Sequence, residues 1–152
     1  MKKITLLLLL PCLLACSSNK EYKGTKITLP YVEEGGLVTA VPKDMYDVAF
    51  ESKSDAVFYI GDDTCSACQK LKPQLSDYCV FYHTNIFEIK FTEVKEEDLH
   101  YIVDATVGYY GWRDEQTLPS VFFFMQGSVA FCGNETDTMN FLMKYVTVEQ
   151  PN

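Results

Sequence analysis

The sequence predicts an α/β protein with a mixed central sheet and helices on both faces. Three observations carry this. Strand-like and helix-like segments alternate along most of the chain. Residues 57–60 and 121–125 are uninterrupted apolar runs, as strands covered on both faces require. Several intervening segments repeat apolar residues at three- and four-residue steps, as helices lying on a sheet do.

Residues 25–29 alternate weakly and predict a first strand, and 33–36 a turn. Residues 42–50 predict a helix, with Met45, Val48 and Ala49 at helical spacing. Residues 55–60 form the first buried strand, and 61–64 a loop. From Cys65 a helix begins, with Cys68, Leu71, Leu75 and Tyr78 along one face. Residues 87–91 are the next strand, and 93–105 a helix with Leu99, Ile102 and Val103 as its apolar side. Residues 107–116 are irregular and aromatic. The strand at 121–125 meets a tight turn at Gln126-Gly127, and 128–131 run back antiparallel to it. Residues 135–146 close the chain as an amphipathic helix, with Met139, Leu142, Met143 and Val146 inward.

The 152 residues are one domain's worth, enough to bury a core. Ten tyrosines and ten phenylalanines point to an aromatic-packed interior. A net charge of -8 disfavours nucleic acid and anionic lipid as ligands. The beginning of the chain stands apart. Met1-Lys2-Lys3 is a basic start, and the apolar stretch 4–14 is far below the ~20 residues of a spanning helix. It reads as a signal peptide. Leu13-Leu14-Ala15-Cys16 resembles the bacterial lipobox. The resemblance implies removal of residues 1–15 and lipidation of Cys16; residues 16–24 then read as the lipidated end and a polar tether, and 25–152 as the folded domain. It implies an extracytoplasmic protein, anchored to the cell membrane through an N-terminal lipid only. Disulfides persist there. Beyond Cys12 and Cys16, four cysteines remain: Cys65, Cys68, Cys79 and Cys132.

Cys65-Ser66-Ala67-Cys68 is the chemistry-bearing segment. Two cysteines three residues apart on a helix share a face, at a separation that suits a disulfide. A helix start favours negative charge and so a thiolate. Cys65 is then the attacking thiol and Cys68 the resolving one. An inert disulfide and half of a zinc site are the alternatives. Neither Cys79 nor Cys132 belongs to a second C-x-x-C, and no metal ligand set is expected. Cys79 and Cys132 are either small buried apolar residues or a second disulfide. His83 and His100 sit in no pattern with a nucleophile.

Cys65-Ser66-Ala67-Cys68 followed by Pro73 resembles the thioredoxin pattern of a dithiol and a helix-kinking proline. Leu118-Pro119-Ser120 before the second apolar run resembles that family's cis-proline segment. The resemblance covers about residues 42–147 and implies a thioredoxin-like three-layer sandwich. It implies that Pro119 is cis and packs against the dithiol, and that the Leu118 backbone pairs with a bound substrate chain. Trp112, with Tyr109 and Tyr110, is the candidate lining of a substrate groove. The stretch from Tyr59-Ile60-Gly61 to Thr64-Cys65 also looks, more weakly, like thioredoxin-like bacteriocin transport accessory proteins. Two positions depart from the thioredoxin pattern. Thr64 stands where the family has Trp, and Tyr59 where it has a buried Asp that assists the resolving thiol. Asp62 and Asp63 oppose thiolate formation if they face the site. The expectation is a monomeric thiol–disulfide oxidoreductase that needs no cofactor and acts on protein thiols or disulfides. The alternative is a non-catalytic binding or secretion-accessory module.

Overall fold

The structure is a computed structural model describing residues 22, 24–106 and 118–151. The leader, Cys16, most of the tether, and the segment of Tyr109, Tyr110 and Trp112 lie outside the described residues. The elements are β1 (Ile27–Leu29), β2 (Gly36–Thr39), α1 (Pro42–Asp47), β3 (Ala56–Gly61), α2 (Ser66–Tyr82), β4 (Asn85–Lys90), α3 (Leu99–Ala105), β5 (Ser120–Met125), β6 (Ser128–Gly133), α4 (Asp137–Tyr145) and β7 (Val146–Val148).

Five strands form the main sheet in the order β2-β4-β3-β5-β6. β2, β4 and β3 run parallel, while β5 is antiparallel to β3, and β6 to β5. β3 is central and wholly buried. Successive side chains on a strand point to opposite faces, so its apolar run feeds two cores. Val57 and Tyr59 join Val121 and Phe123 of β5 under α2 and α4. Phe58 and Ile60 join Phe122 and Phe124 against α1 and α3, through Met45 and Ile102. The mixed sheet, the helices on both faces and the three layers follow from this sorting.

Two strands exceed the sequence expectation. β2 is a four-residue, half-exposed edge strand whose burial does not alternate. β7 pairs with β1 in a separate two-stranded parallel sheet, extended by Glu149 N–H donating to the Leu29 carbonyl at 2.9 Å. Val146 therefore ends α4 in an extended conformation instead of continuing it. Met143, expected inward, is 61% exposed: Leu142 points into the core, and the next helical position turns about 100° away. Val103 is likewise exposed, because the short α3 buries only Ile102 and Ala105. The helix expected over 42–50 is α1 followed by a π-turn over Val48–Ser52, ended by Lys53 with φ 47°. The helix expected over 93–105 begins as separate 3₁₀ turns at Phe91–Glu93 and Glu96–Asp98. β4 starts at Asn85, two residues earlier than expected.

Cys79 and Cys132 are not joined by a disulfide. Cys79 lies in the core under α2, whereas Cys132 packs against the core on the opposite face of the sheet.

Candidate functional site

β3 delivers the chain to the site. After Gly61 the Asp62 carboxylate accepts the Thr64 N–H at 2.7 Å and the Thr64 hydroxyl at 2.8 Å. These bonds hold the Asp62 acid below its usual range. The turn brings Cys65 to the N-cap of α2 in an extended conformation. Its sulfur accepts the Cys68 N–H at 3.1 Å, the place a Ser or Asp oxygen takes in an ordinary cap. Cys65 and Cys68 are joined by a disulfide, with their Cα atoms 5.1 Å apart. Their exposures differ. Cys68 is 1% exposed, whereas Cys65 is half-buried. Only the first sulfur is presented to a large partner.

Pro73 lies inside α2 on its exposed side. The Leu118–Pro119 bond is cis and Pro119 is buried. Ser120 pairs with Ile60, which sets Pro119 at the end of the sheet from which the Cys65 loop departs. Leu118 and Cys65 both pack against the core under α2. Among the described residues, no group of three or more His, Cys, Asp or Glu side chains is placed to hold a metal ion. No described helix is long and apolar enough to cross a membrane.

Behind the disulfide is a cavity of about 570 Å³. Tyr59, Asp62, Asp63, Cys68, Lys72 and Glu88 contribute to its wall. Glu88 is 8% exposed and its carboxylate meets the Lys72 ammonium at 2.6 Å. That hydrogen bond raises the Lys72 pKa. Tyr59 is buried, and its hydroxyl end lies against Gly61. Burial first, then the negative charges of Glu88, Asp63 and Asp62, push it up to about 12. Asp63 is exposed and lies 3.8 Å from Lys72. Glu88 stands in no motif of the sequence. Its one signal was an acid between apolar residues, in Ile86-Phe87-Glu88-Ile89.

Solved structures that match this architecture include thioredoxins. Thioredoxin O1 from Arabidopsis thaliana, in its oxidised state, matches with a TM-score of 0.53 at 16% identity, over 72% of this chain and 97% of its own. Thioredoxin O2 from the same plant, also oxidised, gives 0.52 at 14%, over 73% and 96%. The chain has the thioredoxin fold. A chain from the complex of ferredoxin:thioredoxin reductase and thioredoxin f2 matches at 0.54 and 10% identity, over 74% of this chain and 96% of that one. No family model and no curated protein sequence matches the chain.

Proposed function

We propose that this chain is a thiol–disulfide oxidoreductase that exchanges disulfides with protein thiols through Cys65 and Cys68. The observation that carries the reading is the Cys65–Cys68 disulfide at the start of α2, with one sulfur accessible and the other buried. In the reduced protein, the free N–H groups of the helix start favour Cys65 as thiolate. That thiolate attacks one sulfur of a substrate disulfide and expels the other as a thiol. Cys68 then attacks Cys65, closing the internal disulfide and releasing the second substrate thiol. The substrate gains two electrons and the dithiol loses two. Run backwards, the same steps oxidise a substrate dithiol. Leu118, Pro119 and Trp112 are the proposed substrate-facing residues.

We place this chemistry outside the cytoplasm, on a lipid carried by Cys16. Support comes from the lipobox-like Leu13-Leu14-Ala15-Cys16. Cells fed labelled fatty acid should label the wild-type chain and leave Cys16→Ser unlabelled.

The central test compares reduced wild type with Cys65→Ser in exchange with a protein disulfide. The expected result is a loss of at least about 10³-fold in Cys65→Ser, and a stable mixed disulfide on Cys68→Ser. Equal rates for wild type and Cys65→Ser would leave a non-catalytic binding or secretion-accessory module.

A further inference from the structure

Cys68 poses a chemical problem. Its sulfur must be a thiolate to attack Cys65, yet it is 1% exposed, and burial favours the neutral thiol. The proton needs an acceptor on the buried side, and the cavity that Cys68 lines is also lined by titratable groups. Those lining it are Tyr59 of β3, Asp62 and Asp63 of the loop, Lys72 of α2 and Glu88 of β4, while β2 contributes Leu37. Tyr59 holds its own proton up to about 12. Lys72 holds its proton more firmly than usual. Asp62 takes two bonds from Thr64 on Oδ1, which hold its acid below the usual range and make it a poorer base. Asp63 has a side chain 74% exposed, on the solvent side. The Glu88 side chain is only 11% exposed and is held in place by Lys72.

We propose that Glu88, positioned by Lys72, is the proton acceptor for Cys68 during resolution of the mixed disulfide. The inference rests on the oxidoreductase reading above. A cavity of about 570 Å³ with several polar walls has room for the water that would connect the two groups. In the step, the Cys68 thiol gives its proton through that water to the Glu88 carboxylate. The thiolate attacks Cys65 Sγ, the Cys65–Cys68 bond forms, and the bond from Cys65 to the substrate sulfur breaks. The electron pair leaves on the substrate sulfur, which takes a proton from solvent, and Glu88 returns its proton to solvent.

The test uses the full chain with Cys12, Cys16 and Cys132 changed to Ser, reduced and mixed with the chromogenic disulfide dithiobis-nitrobenzoate in a stopped-flow instrument. The first release of coloured thiolate reports attack by Cys65, and the second reports resolution by Cys68. At neutral pH, Glu88→Gln should lower the ratio of second to first rate roughly tenfold or more. The deficit should shrink as pH rises and Cys68 ionises unaided. Glu88→Asp should restore part of the ratio. Lys72→Met breaks the same ion pair but keeps the carboxylate, so it should lose less than Glu88→Gln. An unchanged ratio in Glu88→Gln, or equal losses in Glu88→Gln and Lys72→Met, would overturn the relay while leaving the dithiol reading intact. Absence of both releases in wild type would instead defeat the oxidoreductase reading itself.

Discussion

Gly61 ends β3 where a side chain has no room. A Cβ there would collide with the hydroxyl oxygen and Cζ of Tyr59 and come within 2.9 Å of its Cε2. The ring is 1% exposed and cannot swing away without repacking the core under α2. Gly61→Ala should therefore destabilise the fold by about 1–3 kcal/mol, read as a lower urea midpoint. Tyr59→Phe removes the nearest colliding atom, so the double variant should recover part of that loss. A coupling below about 0.5 kcal/mol in the double-mutant cycle would show that the collision is not the cause. The same neighbourhood shows what was legible residue by residue. The Cys pair announced itself because its chemistry depends on local spacing. Glu88 did not, because its partner Lys72 and Cys68, which lines the same cavity, belong to another element, and no spacing along the chain records that meeting.

At the scale of elements, one carboxylate fastens three pieces together. Asp55, just ahead of β3, accepts the Thr28 N–H of β1 through Oδ2 at 2.8 Å. Through Oδ1 it accepts the Gln126 N–H in the β5–β6 turn, also at 2.8 Å. That turn places Gln126 at φ 51° and Gly127 at φ 80°, a left-handed pair suited to a tight hairpin. Asp55→Ala leaves both N–H groups to water and should lower unfolding stability by about 1.5–3 kcal/mol in a denaturant titration. Asp55→Asn keeps one good acceptor and should lose less; equal loss would show that charge, not the pair of bonds, matters. The two apolar runs of β3 and β5 were legible because burial on both faces removes polar residues. β2 and β7 were not, because an edge strand and a three-residue strand owe their form to partners distant in sequence: β2 to β4, and β7 to β1.

Across the whole molecule the two cores differ in chemistry. The core under α2 and α4 buries Tyr59, Tyr78 and Cys79, and the pKa of each is raised. Burial is the leading cause of each shift. It pushes both tyrosines from 10.0 to about 12 and the Cys79 thiol from 9.0 to about 11. The apolar residues buried against α1 and α3 include no tyrosine or cysteine. Folded pKa values above the unfolded ones favour the neutral forms in the native state. The stability these groups support is therefore fully present below about pH 9 and declines as pH climbs through the folded values. Urea unfolding should give a similar free energy near neutrality and at about pH 9, then a steep fall toward pH 11. The chain's own negative charge also grows with pH and strains the fold by repulsion. Salt separates the two causes, because it screens repulsion between surface charges but does little for a charge forced into a dry core. The alkaline fall should therefore persist in concentrated salt and become shallower in Tyr78→Phe. A fall that salt abolishes, with Tyr78→Phe behaving as wild type, would place the cause on the surface and not in this core.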